Sequence, residues 1–480
     1  MPIPIVNSIA SWFLKKRFHQ IELFLKYPNE VQNELLLDLI DEARDTEIGR
    51  QYDFNSIESY EEFANRVPIL AYEEYESLIE RSRRGESNIF WPGPIKWFAK
   101  SSGTTNSKSK FIPVSSDSLE DCHYAAGKDL LCLYLNNNEN SQLFTGKSLR
   151  LGGSKELYEE NGTVFGDLSA ILIDNMPFWA EFSSTPSNKV SLMSDWEHKM
   201  QAIVDETINE NVTSLAGVPS WMLVLLNNVL ETTQKKNLFD IWPNLEAYFH
   251  GGVSFVPYID QYKTILPRKD FRYYEIYNAS EGFFAIQDQN NSSELLLMLD
   301  YGIFYEFIPM DTYGTKREKV IRLSDVELGK NYAVIITTNA GLWRYKIGDT
   351  VRFTSLNPYR IKVSGRTKHH INVFGEELII ENAEDALKEV CKKTDAEVVD
   401  YTAAPIFMKG KEKGAHEWII EFKKQPENFN DFKVLFDNSL KSLNSDYEAK
   451  RFNSITLNAP TVHVARKSLF YDWLKQNNKL

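Results

Sequence analysis

Four short segments of this chain gather residue types that handle phosphate, ribose and a divalent cation. The first, Ser101-Ser102-Gly103-Thr104-Thr105-Asn106-Ser107-Lys108-Ser109-Lys110, is small, hydroxylated and closed by lysines. Small residues let backbone N–H groups come close to phosphate oxygens, hydroxyls add donors and lysines add charge. The G-x-x-x-x-G-K-[ST] spacing is absent, so this is not the common nucleoside-triphosphate loop. The second segment, Tyr277-Asn278-Ala279-Ser280-Glu281-Gly282, offers one carboxylate beside an aromatic ring and small residues, a set able to hold Mg²⁺ against a phosphate. The third, Trp343-Arg344-Tyr345-Lys346-Ile347-Gly348-Asp349, ends in an aspartate that can accept hydrogen bonds from both hydroxyls of a ribose. The fourth, Ser364-Gly365-Arg366-Thr367-Lys368, is a basic turn. Read singly, each is also what an ordinary solvated turn looks like.

The elements between these segments must bring them together. An apolar stretch, KWFA, precedes the first segment, a short β-like run, FIPVS, follows it, and a helix is expected over 116–136. AYFHGGVSF, FRYYEIYNASEGFFAIQ, LLLMLDYGIFYEFIPM and NYAVIITTNAGLWRYKIGDTVRF alternate as mixed or antiparallel sheet. Residues 30–46 and 58–82 look helical, and 8–27 form a basic amphipathic helix read as docked on its own domain rather than on a membrane. The charge-free run Asn211–Leu230 contains Pro219 and reads as a loop plus a buried helix, not a membrane span. The best boundary lies at the basic turn near Gly365. It divides a large α/β unit, 1–363, from a smaller α+β unit, 364–480.

Bulk properties narrow the function classes. The chain has 480 residues, 42% hydrophobic and 25% charged, which suits a globular protein of two or three domains. A formal net charge of −13 disfavours nucleic acid as a partner, because backbone binding needs clustered positive charge. Three cysteines, Cys122, Cys132 and Cys391, form neither a disulfide framework nor a zinc pattern, and a cytoplasmic location is expected. The histidines are scattered, and neither H-x-x-x-H nor G-x-S-x-G occurs, so metal and serine hydrolase readings are poor. His250 and His369 are read as structural.

Taken in order, the four segments resemble the motifs of the Gretchen Hagen family of acyl-acid amido synthetases, within the adenylate-forming superfamily of acyl-CoA synthetases and luciferases. SSGTTNSKSKFIP is similar to that family's phosphate loop, YNASEG to its Y-x-(A/S)-S-E motif, TTNAGLWRYKIGDTVRF to its TT-x-AGL stretch, and SGRTKHHINVFGEEL to the superfamily's hinge. WPNLEAYFHGGVSFVPY stands where the family has its adenine and acyl-site strand. The resemblance implies an α/β fold, a large N-terminal ATP- and acyl-binding domain followed by a small mobile α+β domain. It implies ATP and Mg²⁺ as cofactors, and a carboxylic acid and an amine, expected to be an amino acid, as partners. Nucleic acid and stable membrane insertion are not expected.

The resemblance also implies roles. Ser101, Ser102, Gly103, Thr104 and Thr105 would wrap the outer phosphates, with Lys110 closing the loop. Glu281 would ligate Mg²⁺, Tyr277 would flank adenine, and Ala279 and Ser280 would line the α-phosphate pocket. Gly251 and Gly252 would let their strand pass close to the nucleotide and the acyl group. Asp349 would bind the ribose hydroxyls, Arg366 would meet ribose or phosphate, and Lys368 would be the hinge residue. Tyr124, Trp221, Phe255 and Ile276 are acyl-pocket candidates, each read first as plain core packing. The family's late glycine-rich loop with a lysine is expected to begin only after Lys475-Gln476-Asn477-Asn478-Lys479-Leu480. Two alternatives therefore stand beside the amido synthetase: an acyl-CoA ligase using the same adenylate, and a non-catalytic nucleotide or acid binder.

Overall fold

The computed structural model describes residues 17–101, 110–152, 157–193, 195–256, 258–367, 370–371, 373–374, 376, 378–408, 412–452 and 457–476. Among these, a twelve-stranded mixed sheet forms the centre of the large unit. One half is parallel: Lys147–Leu151, Val212–Gly217, Ala247–His250 and Arg272–Ala279 lie side by side. The other half is antiparallel and runs through Gly282–Ile286, Leu295–Leu297, Tyr359–Arg366, Tyr345–Leu356, Asn331–Thr338 and Ile303–Pro309. A separate four-stranded sheet carries the hairpin Trp97–Ser101 and Lys110–Val114. The small unit has a three-stranded sheet, Glu397–Ile406, Ala415–Lys424 and Thr461–Val464, with the helices Ile380–Thr394 and Phe429–Leu443 against it.

The residues explain these elements. The helix Pro219–Thr233 has Pro at its first turn, buries Met222, Leu223, Leu225, Leu226 and Val229, and stops at Gln234 with a left-handed φ of 54°. The segment just before it differs from the sequence expectation. Val212–Gly217 is a strand, not a loop. It has a parallel neighbour on each side, and its first four residues are all buried, so both faces are covered and no apolar–polar alternation marks it. The helix expected over 116–136 is present as Ser118–Tyr124, wound as a π-helix, continued by Ala125–Asn137. No helix among the described residues is long and apolar enough to cross a membrane.

The sheet has two differently covered faces. One apolar cluster holds Phe98, Phe249, Tyr274, Tyr277, Phe284 and Trp343 with the N-terminal helices. The other holds Leu149, Leu215, Tyr248, Phe255 and Tyr262 and continues into the small unit through Phe374, Trp418 and Phe436. The strand Tyr359–Arg366 pairs with Tyr345–Leu356 as far as Asp349 opposite Arg366, so sheet pairing continues three residues past 363.

Candidate active site

Two hairpins and one strand pair carry the described site residues. In the first hairpin Ser101 lies opposite Lys110, which pins both ends of the first segment. Ser102, Gly103, Thr104 and Thr105 lie outside the described residues, as does Lys368. The Lys110 ammonium lies 5.4 Å from the Tyr72 ring centroid, and Phe111 N–H donates to Tyr72 Oη at 2.8 Å. In the second hairpin Ala279 faces Gly282, so Ser280 and Glu281 form a two-residue turn. That turn projects the carboxylate from the end of the Arg272–Ala279 strand.

Glu281 is the electrostatic centre. Burial pushes its carboxyl up to about 7, and Asp349 adds to the rise while Lys110 and Arg366 pull it down. Charged groups from the other three motifs therefore lie within electrostatic range of Glu281. A buried carboxyl at the tip of a turn suits a site that receives a cation. A single carboxylate, with phosphate oxygens and water completing the shell, is a donor set that fits Mg²⁺. Tyr345 stands beside Glu281 with its hydroxyl buried and without a partner among the described residues. The motif spacing does not single out Tyr345, because an aromatic residue opening a strand gives no functional signal.

Asp349 is buried and fixed at both oxygens. Tyr277 Oη donates to Oδ2 at 2.7 Å, and Arg366 Nε lies 2.9 Å from Oδ1. Gly348, just before it, has φ +91°, a conformation that side-chain-bearing residues rarely adopt, and its carbonyl accepts from Thr367 N–H at 2.8 Å. The ribose-binding candidate is thereby stitched to the start of the basic turn. Tyr277 is buried with its ring 4.8 Å from that of Phe284, so it acts here through its hydroxyl on Asp349.

The adjoining strand explains the Gly251-Gly252 pair. A Cβ on Gly251 would lie 2.6 Å from the carbonyl oxygen of Ile276, and Gly252 has φ +83°. His250 before them is buried, with its ring stacked on Phe255 at 4.1 Å, and burial pushes its pKa down to about 3.

The four acyl-pocket candidates do not come together. Tyr124 donates its hydroxyl to Leu172 O at 3.0 Å and, with Ile276, packs on the cluster that contains Phe249. Phe255 lies in the opposite cluster among Tyr248, Tyr262 and Tyr273, and Trp221 lies there too, 4.3 Å beneath the Lys450 ammonium of the small unit. Tyr124 and Trp221 come from helices, Phe255 from a turn and Ile276 from a strand, and motif spacing did not reveal which cluster each would join.

Comparison with known proteins adds to this geometry. Family models match in chain order: the GH3 family N-terminal domain over 17–271, the GH3 family central domain over 296–366 and the GH3 family C-terminal domain over 381–479. The indole-3-acetic acid-amido synthetase GH3.4 of Arabidopsis thaliana is 24% identical over 404 residues, 70% of this chain and 66% of that protein. The jasmonoyl-L-amino acid synthetase JAR4 of Nicotiana attenuata is 23% identical over 474 residues, 83% of this chain and 80% of that protein. Among solved structures, AtGH3.15 acyl acid amido synthetase in complex with 2,4-DB superposes with a TM-score of 0.63 at 17% identity, covering 94% of this chain and 88% of that one.

Proposed function

Because the chain belongs to the GH3 family, we propose that it activates a carboxylic acid with ATP and Mg²⁺ and then joins the acyl group to an amine, in particular an amino acid. A carboxylate is a poor electrophile, since oxide would have to leave. Attack of its oxygen on the α-phosphorus of ATP breaks the bond to pyrophosphate and makes a mixed anhydride. The amine nitrogen then attacks the acyl carbon, AMP departs, and the nitrogen loses a proton. The names of the relatives, amido and amino acid synthetases, support this acceptor.

The observation that carries the reading is that Lys110, Asp349 and Arg366, drawn from distant parts of the chain, all act on the Glu281 carboxyl, with Arg366 paired to Asp349. The first step brings two anions together, so it depends on positioning and on positive charge aimed at the phosphates. Lys110 and Arg366 supply that charge. Asp349, oriented by Tyr277, holds the ribose, and Ser101 with the rest of the first segment holds the outer phosphates. Ala279 and Ser280 border the turn that presents Glu281. Mg²⁺ at Glu281 would neutralise charge on the transferring phosphates. Three free cysteines, two of them buried, support action in a reducing, cytoplasmic setting.

The test is acid-dependent exchange of labelled pyrophosphate into ATP over a panel of carboxylic acids. Exchange with at least one acid, then an amide and AMP by mass on adding amino acids, is the expected result. No exchange with any acid overturns the adenylation. A thioester formed with coenzyme A, and no amide, overturns the choice of acceptor.

A further inference from the structure

The adenylation chemistry leaves a half-buried arginine unused. Arg150 sits in the parallel half of the large sheet, on the strand Lys147–Leu151. The register places it level with Ala216, Phe249 and Tyr274 on the three neighbouring strands. Equal register puts all four side chains on the same face. The Tyr134 ring covers the far end of this row, 5.5 Å from Phe249 and 5.1 Å from Tyr274. Ala216, between Arg150 and these rings, carries only a methyl group.

Arg150 has a poor set of partners. Its Nη1 lies 2.9 Å from the sulfur of Met176, and among the described residues no carboxylate meets it. Thioether sulfur is a weak acceptor, and a guanidinium carries five donors. Burial pushes its pKa down to about 10, with no acidic neighbour opposing the shift. The other arginines inside this fold differ. Arg344 grips Glu306 with two nitrogens, and Arg451 does the same with Asp437. A half-buried guanidinium with only a thioether contact keeps donors open to an anion that can reach it.

Met176 follows the helix Leu168–Asp174, whose Leu172 carbonyl accepts the hydroxyl of Tyr124. The acyl-pocket candidate and Arg150 therefore border the same short segment. Glu281 and Asp349 lie elsewhere. The Arg272–Ala279 strand is three strand spacings from Arg150, and its end is five residues beyond Tyr274, a separation on the order of 20 Å. One carboxylate cannot lie on both Arg150 and that charged cluster.

Resting on the adenylation reading, we propose that Arg150 is a substrate-binding residue for a carboxylate other than the one adenylated. The two sources with that chemistry are the far end of a dicarboxylic acid and the α-carboxylate of the amino acid acceptor. A bidentate guanidinium–carboxylate pair would replace the sulfur contact and orient the substrate along the sheet.

The experiment separates the sources, because pyrophosphate exchange needs the acid and not the amine. A series of straight-chain diacids and their monoacid counterparts, glutarate to suberate against pentanoate to octanoate, is assayed with wild type, Arg150→Met and Arg150→Lys. A diacid role predicts at least a tenfold rise in the diacid KM for exchange in Arg150→Met, with monoacid KM within twofold and partial rescue by Arg150→Lys. An acceptor role predicts unchanged exchange and at least a tenfold rise in amino acid KM for amide formation. If both KM values stay within twofold while Arg150→Met raises the thermal midpoint, the residue is a structural cation and the proposal falls. A readout independent of turnover guards against failure of the adenylation reading. Thermal stabilisation of the wild type by a diacid or an amino acid, absent in Arg150→Met, upholds the anion site even if exchange is never seen. Stabilisation equal in the two proteins, or absent from both with no KM effect, counts against it.

Discussion

Tyr277 shows how far a motif can be read at the level of single residues. Its place beside the nucleotide motifs was legible from YNASEG, but its use was not. The hydroxyl reaches Asp349, 72 positions away in the chain, and no local pattern encodes that contact. Tyr277→Phe removes one hydrogen bond to a charged group, worth about 1.5–3 kcal/mol. Because Arg366 still holds the other oxygen, the expected result is roughly a tenfold rise in KM for ATP with kcat nearly kept. An unchanged KM would mean that Asp349 does not bind the nucleotide. Lys110→Ala and Glu281→Ala act on the charge of the reacting phosphates, and each should slow pyrophosphate exchange by at least about a hundredfold. Wild-type rates in either variant would remove that residue from the mechanism.

The elements were legible where one face is wet and hidden where both are covered. The short β-like run after Lys110 and the sheet segment holding Ala279 stand out in the sequence, whereas the pairing of Ser101 with Lys110 does not. Val212–Gly217 does not, since its neighbours bury it on both sides. Close packing of this parallel half makes two of its features testable. In Gly251→Ala the new methyl must displace a backbone carbonyl of the next strand, and denaturant unfolding should show a loss of about 1–3 kcal/mol. His250 and His123 are buried, each with an Nδ1 that has no partner among the described residues, and burial lowers their pKa values to about 3 and about 4. In the unfolded chain both take up a proton near 6.5. Their contribution is therefore complete above pH 6.5 and is lost as pH falls towards 4, at about 1.4 kcal/mol per pH unit for each histidine. Stability measured from pH 7 to pH 4 should have a shallower slope in His250→Gln by about that amount, whatever the substitution does to stability at neutral pH. An identical slope would place the His250 ring in contact with solvent.

At the scale of the whole molecule, the large sheet's strand Tyr359–Arg366 ends within the basic turn near Gly365. The joining of the two units was invisible, because it is made between residues far apart in sequence. Tyr258 and Tyr262 share an apolar cluster with Phe374 and Trp418. Tyr258 Oη donates to Val373 O at 2.7 Å, and Gln261 Nε2 donates to Met408 O at 2.8 Å. Glu376, fully buried, accepts the N–H groups of Val373 and Phe374 and meets His416 Nε2 at 2.9 Å. Adenylation and amide formation place different demands on one site: the first must exclude water around the phosphates, and the second must admit an amine to the acyl carbon. An arrangement of the two units that suits one step does not suit the other equally, so contacts holding this arrangement bias the pair of reactions. Tyr258→Phe combined with Gln261→Ala removes two hydrogen bonds of about 1 kcal/mol each, enough to shift a two-state balance by roughly thirtyfold. The ratio of exchange rate to amide-forming rate should then change several-fold, and Lys368→Ala at the turn should also change that ratio. Equal losses in both rates would show that the small unit works from one fixed position.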